Sequence, residues 1–174
     1  MLYKKGIYMI FKITILLILS LGIVSAKTQK SYYPDGTIKS ATSYKNGKKN
    51  GIEHIYYPDG ATLMYAKPYV NDKVHGILQA YTPSAMLKYE TVYRYGVLDG
   101  RSRYYNENGL LKAEIDYKRG LKNGKMSLFY PSGLLKIETI WEKGRLISGY
   151  IFQEDSTKRA FSSDEKRIFF ESNR

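Results

Sequence analysis

From about Lys27 onward the chain alternates apolar and polar side chains in short runs. Leu87, Tyr89, Thr91 and Tyr93 alternate with Lys88, Glu90, Val92 and Arg94. Leu111, Ala113, Ile115 and Tyr117 alternate with Lys112, Glu114, Asp116 and Lys118. Successive side chains of a strand point to opposite faces, so a period of two predicts strands with one buried and one wet face. On this reading Leu87 and Leu111 share the face of the rings that follow them. Clusters of Gly, Pro, Asn and Asp break the runs at regular intervals, as turns between strands require.

The interval is a repeat. Five glycines, Gly51, Gly76, Gly100, Gly124 and Gly149, close five units spanning 28–51, 52–76, 77–100, 101–124 and 125–149. Three columns agree throughout. An aliphatic column reads Ile38, Leu63, Leu87, Leu111, Leu135, and six residues later an aromatic column reads Tyr44, Tyr69, Tyr93, Tyr117, Trp141. A second aromatic column reads Tyr32, Tyr56, Tyr81, Tyr105, Phe129. A fixed period of this length marks stacked supersecondary units in which each packs on its neighbours.

Each unit carries two turn signals. The first is Tyr33-Pro34-Asp35-Gly36, repeated as Tyr57-Pro58-Asp59-Gly60 and Tyr130-Pro131-Ser132-Gly133, and decayed to Thr82-Pro83-Ser84 and Asn106-Glu107-Asn108-Gly109 in the middle. Pro presets one turn dihedral and Gly accepts a positive φ. The second is a pair of glycines around three residues, as in Gly47-Lys48-Lys49-Asn50-Gly51, with Asp72 replacing the first glycine in the second unit. Asn50, His75, Asp99 and Asn123, just before the closing glycine, are expected to take the left-handed or turn geometry there. The prediction is all-β: an elongated single-layer antiparallel meander of about five hairpins over residues 27–153.

These units resemble the bacterial MORN-repeat variant, whose pattern runs Tyr-Tyr-Pro-Asp-Gly, a polar-alternating strand, then Asn-Gly-Lys-x-x-Gly. Residues Tyr32 to Gly51 and Tyr56 to Gly76 carry the likeness best. The resemblance implies a repeat protein without catalysis. Proteins of this kind are often labelled antitoxin-like, which would make a toxin the partner, and lipid binding has been proposed for MORN proteins generally.

Both ends fall outside the repeat. Lys4, Lys5 and Lys12 precede an apolar run from Ile13 to Val24, followed by Ser25-Ala26 and the polar Lys27. A basic head, an apolar middle and a small-residue exit are the layout of a secretory signal peptide over residues 1–26. An N-terminal signal helix and a periplasmic, cell-surface or secreted mature chain are therefore expected. Residues 154–174 are expected to form a cap: a strand at Lys158 to Phe161, then a short helix or strand opened by Ser162 or Ser163 ahead of Asp164 and Glu165.

Composition narrows the chemistry. With no Cys, disulfides, thiolate metal sites and cysteine nucleophiles are excluded. Of the two histidines, His54 lies mid-strand and His75 fills a turn slot, so neither suggests a base or ligand, and no cofactor or metal is expected. The 174 residues hold 28 basic and 16 acidic side chains; without the three lysines of the N-terminal segment the excess is +9. Such a balance attracts anionic partners, whether an envelope polymer, an acidic protein or lipid headgroups. Nucleic acid is not expected, since the repeats hold no dense basic run. The candidate binding face is the second aromatic column, Tyr56, Tyr81, Tyr105 and Phe129, as a ladder of rings, with Arg101 and Arg103 as a basic patch beside it.

Overall fold

The computed structural model describes residues 26–155 and 157–173; the expected signal segment lies outside them except for Ala26. The described chain is one antiparallel sheet whose strands follow each other in chain order. They are β1 (Ala26–Tyr32), β2 (Ile38–Lys45), β3 (Lys48–Tyr56), β4 (Leu63–Val70), β5 (Lys73–Val74), β6 (Gly76–Tyr81), β7 (Leu87–Arg94), β8 (Val97–Leu98), β9 (Gly100–Tyr105), β10 (Leu111–Lys118), β11 (Leu121–Phe129), β12 (Leu135–Glu142), β13 (Arg145–Phe152) and β14 (Lys158–Ala160). One helix, α1 (Ser163–Ser172), follows.

Register assigns the faces, because residues directly opposite on antiparallel strands share one. Tyr65, Ala80, Tyr89, Tyr104, Ala113, Leu128 and Ile137 stand opposite one another in succession. A parallel row runs through Ser102, Ile115, Met126 and Thr139, buried throughout. The first aromatic column completes this face: Tyr69 opposes Gly51, Tyr93 opposes Gly76, Tyr117 opposes Gly100 and Trp141 opposes Gly124. The other face carries Gln79, Glu90, Arg103, Glu114, Ser127 and Glu138, again in register. The two are called the ring face and the ion-pair face below.

The aliphatic column does not share the face of the rings that follow it. Ala80 opposes Tyr89, but the next residue, Tyr81, opposes Leu87, so one residue of the second strand, Lys88, is extra. The same bulge recurs at Lys39, Met64, Lys112 and Lys136. A one-residue slip reverses the alternation, so Ile38, Leu63, Leu87, Leu111 and Leu135 stand opposite Tyr32, Tyr56, Tyr81, Tyr105 and Phe129.

Both turns are built as the sequence suggests, with one exchange of roles. In the first, Gly36 N–H donates to Tyr33 O at 3.0 Å and Tyr33 N–H to Thr37 O at 2.8 Å, a geometry kept through the decayed copies. The second is a two-residue turn, Asn46-Gly47, Asn71-Asp72, Tyr95-Gly96, Arg119-Gly120 and Lys143-Gly144, with positive φ at both positions. Such turns match the twist of the strands they join. Asn50, His75, Asp99 and Asn123 are not left-handed; the first residue of each two-residue turn is. The residue before the closing glycine instead bridges hairpins, as where Lys143 N–H donates to Asn123 Oδ1 at 3.1 Å and Tyr95 N–H to His75 Nδ1 at 3.4 Å.

The apolar core lies at the C-terminal end of the ring face. Ile115, Met126, Trp141 and Leu146 form a buried cluster, and Phe161, Phe169 and Phe170 pack onto it. Helix α1 thus lies across the ring face, while β14 forms the sheet's last edge. A capping box at Ser162 and Glu165 starts the helix. Arg159 grips Glu165 with two bonds of 2.8 and 2.7 Å. Lys122 stands over the Trp141 ring at 4.7 Å and donates to the Asn173 carbonyl. Burial pulls the Lys122 pKa below its ordinary value.

Candidate functional site

Helix α1 covers only part of the ring face. Trp141, the last of its column, is 3% exposed beneath Phe170, whereas Tyr44, Tyr69, Tyr93 and Tyr117 are only half-buried. Beside them Tyr65, Tyr89 and Tyr104 form a second row, with the Tyr89 and Tyr104 centroids 5.8 Å apart. The Tyr89 hydroxyl is pushed up to about 12 by burial and then by neighbouring Tyr65. That of Tyr104 is pushed up to about 12 by burial and then by Tyr117. The rings therefore stay neutral and act as hydroxyl-tipped stacking surfaces.

Charge on this face concentrates at Glu53, which is buried. Lys49 Nζ lies 2.6 Å from its Oε1, Thr42 Oγ1 donates at 3.1 Å, and the Tyr69 hydroxyl donates to Oε2 at 3.1 Å. Burial alone would raise the Glu53 pKa; the Lys49 ammonium and the two hydroxyls outweigh it and hold the carboxyl below its ordinary value. Lys49 also sits over the Tyr69 ring at 4.9 Å and Lys67 over the Tyr65 ring at 4.8 Å. The open half of the ring face is thus a lattice of tyrosines edged by cations.

Tyr56, Tyr81, Tyr105 and Phe129 hold equivalent places in successive hairpins, opposite Leu63, Leu87, Leu111 and Leu135. Arg101 and Arg103 lie on the ion-pair face, each gripped by acids: Arg101 Nε lies 2.8 Å from Asp116 Oδ1, and Arg103 reaches Glu114 at 2.7 Å and Glu90 at 3.0 Å. Their charge is matched on the spot, so they are no free basic patch. The Tyr81 hydroxyl donates to Gln79 Oε1 at 3.1 Å and that of Tyr105 to Glu90 Oε1 at 3.4 Å. Tyr56 stands one hairpin before Tyr81, with its ring 6.5 Å from His54. Tyr105 and Phe129 share a groove of about 650 Å³ at the first-turn edge.

That edge holds a feature missed from sequence. The tyrosine of the first turn reaches across to the next hairpin: Tyr33 OH donates to Tyr56 O at 2.7 Å, Tyr57 OH to Tyr81 O at 2.8 Å and Tyr130 OH to Phe152 O at 3.0 Å. The signal was present in the turn column, which keeps Tyr in three units and loses it in two. His75 occupies its turn slot, with its ring 4.4 Å from Tyr95, and His54 lies on the ion-pair face between Ala41 and Ala66. Among the described residues, no three His, Asp or Glu side chains converge as metal ligands would. Among them also, no helix is long and apolar enough to cross a membrane.

An open antiparallel sheet of stacked hairpins, in which each strand of the described residues pairs only with its neighbours, defines a repeat protein. The repeat is similar to the MORN repeat variant, whose family model matches residues 27–46 and 98–119. Each match spans a strand, the first turn, the following strand and the first residue of the two-residue turn, so the same structural unit is found twice. No curated protein matches the chain. MORN repeats are often binding or scaffold modules for proteins or membrane lipid.

Proposed function

We propose that the chain is an exported, non-catalytic binding module that holds a partner protein or an anionic envelope polymer against the open half of its ring face. One observation carries the reading: helix α1 seals the rings at Trp141 but leaves Tyr44, Tyr69, Tyr93 and the Tyr65–Tyr89–Tyr104 row half-exposed, edged by Lys67. Rings that lose little side-chain freedom on binding and carry a hydroxyl suit recognition surfaces, and cations over their faces favour an anionic partner. Export rests on the basic, apolar and small-residue succession of residues 1–26.

The test is capture from envelope extracts with three baits: native protein, Tyr69→Ser/Tyr93→Ser, and Lys67→Glu. The native bait should enrich one partner that the ring variant loses and that the charge variant holds only weakly. A partner retained equally by all three baits, or none at any salt concentration, overturns the reading. Fractionation with N-terminal sequencing tests export: the mature chain should leave the cytoplasm and begin at Lys27.

A further inference from the structure

The two middle hairpins lack a ring that the others possess. In the first, second and fifth units a turn tyrosine reaches the next hairpin, and in two of these a lysine six residues later lies over it: Lys39 over Tyr33 at 5.7 Å and Lys136 over Tyr130 at 5.3 Å. The lysine is the extra residue of the bulge, which turns it toward the ring. Thr82 and Asn106 stand where the tyrosine would be. Both fold back on their own turns instead: Met86 N–H donates to Thr82 Oγ1 at 3.1 Å, and Asn108 and Leu110 N–H both donate to Asn106 Oδ1 at 2.9 Å. In the first unit that capping is done by Asp35, which frees Tyr33 to reach outward.

The bulge lysines remain at both places. Lys88 and Lys112 have neither a ring beneath them nor an acid paired with them among the described residues. The Tyr105 and Phe129 carbonyls, which correspond to those of Tyr56, Tyr81 and Phe152, receive no tyrosyl hydroxyl from these turns. The space so left is the groove of about 650 Å³, bounded by the rings of Tyr57 and Tyr130 and lined by Lys88, Tyr105, Lys112 and Phe129.

We infer that this groove is a docking site for a peptide segment presenting tyrosine side chains, each ring lying under Lys88 or Lys112 with its hydroxyl donating to the Tyr105 or Phe129 carbonyl. The protein itself supplies the template, since Tyr33 and Tyr130 make both contacts from within. A phenol is the group that satisfies both, having a π face for the ammonium and a donor for the carbonyl. The seats belong to adjacent hairpins, two strands apart, so they lie about 9.5 Å from each other. A polyproline II segment repeats its direction every third residue, about 9.3 Å along, so the matching sequence is Tyr-x-x-Tyr. This surface lies at the turn edge and goes beyond the ring-face reading.

The test uses a capped Tyr-Pro-Pro-Tyr peptide titrated into isotope-labelled native protein, with amide shifts read by NMR. Shifts should concentrate at Lys88, Tyr105, Lys112 and Phe129. A Phe-Pro-Pro-Phe peptide should bind about fivefold more weakly for each hydroxyl lost. Lys88→Met/Lys112→Met, which copies Met64 of the second unit, should weaken binding by about threefold for each cation. A filled-seat variant, Thr82→Tyr/Ser84→Asp/Asn106→Tyr/Asn108→Asp, restores the outward tyrosine and its turn acid and should abolish binding while keeping the fold. Tyr69→Ser/Tyr93→Ser should bind the peptide unchanged, which separates this site from the ring face. No shifts in the groove, equal affinity for the Phe peptide, or undiminished binding by the filled-seat variant overturns the inference.

Discussion

Trp141 and Phe170 stack with ring centroids 6.0 Å apart, and this contact fastens the only helix of the described residues to the sheet. The indole N–H also donates to Thr139 Oγ1 at 2.9 Å, which fixes the ring's orientation. Truncating Phe170 to Ala should remove the stack and part of the cluster beneath it, costing about 2 kcal/mol, below the range for a fully buried ring. Because Trp141 is the sole tryptophan, its fluorescence during chemical denaturation reads this loss directly. An unchanged midpoint would show that the helix contributes nothing to the sheet.

Gly100 is a position where only glycine fits. Its φ is +136°, and a Cβ placed there would lie 2.8 Å from Val92 Cβ and 2.9 Å from Val92 Cγ1. Strain and overlap act together, so Gly100→Ala should destabilise by about 2 kcal/mol. Gly100→Ala combined with Val92→Ala removes the Cγ1 contact but keeps both the 2.8 Å approach to Cβ and the dihedral, so only a small part of the loss should be recovered in thermal unfolding.

The opposite change is expected at Ala85. It holds the slot that Gly36, Gly60, Gly109 and Gly133 hold in other units, at a φ of +60°. A left-handed conformation is costly for a residue with a Cβ. Ala85→Gly should therefore stabilise the protein by about 0.5–1 kcal/mol net of the extra freedom of the unfolded chain, measured as a higher denaturation midpoint.

Acid should release the helix before it opens the sheet. The Arg159 guanidinium, with help from the Ser162 N–H, lowers the Glu165 pKa to about 2. A carboxyl depressed in the folded state stabilises it fully above its unfolded value, near 4.5, and that contribution disappears as pH falls toward 2. Trp141 emission should change across this interval, and Glu165→Gln should flatten the change. A variant with the same acid profile as the native protein would mean that another carboxylate controls the transition.

Much of the architecture was legible from the columns. Ring and glycine positions at a fixed period specify hairpins, and alternation specifies strands. The bulge was not legible, because one extra residue leaves the spacing of apolar positions intact while changing which face they reach. Arg101 and Arg103 looked like a basic patch for the same reason: their acids, Asp116, Glu114 and Glu90, become neighbours only once the strand register is known. The half-covered ring face also escaped notice, since residues 154–174 reveal a helix start at Ser162 but not which rings Phe170 will cover. Loss of tyrosine at Thr82 and Asn106 read as decay of a turn motif, and only the contacts of Tyr33, Tyr57 and Tyr130 give it a meaning.

Strand order that follows chain order has a mechanical consequence. The two ends of the sheet lie at opposite margins, about 50 Å apart at the usual spacing between strands, and among the described residues no strand returns to tie distant hairpins together. A load applied between the termini would open the ribbon like a zip, one hairpin after another at modest force, with the stretch under the helix parting last.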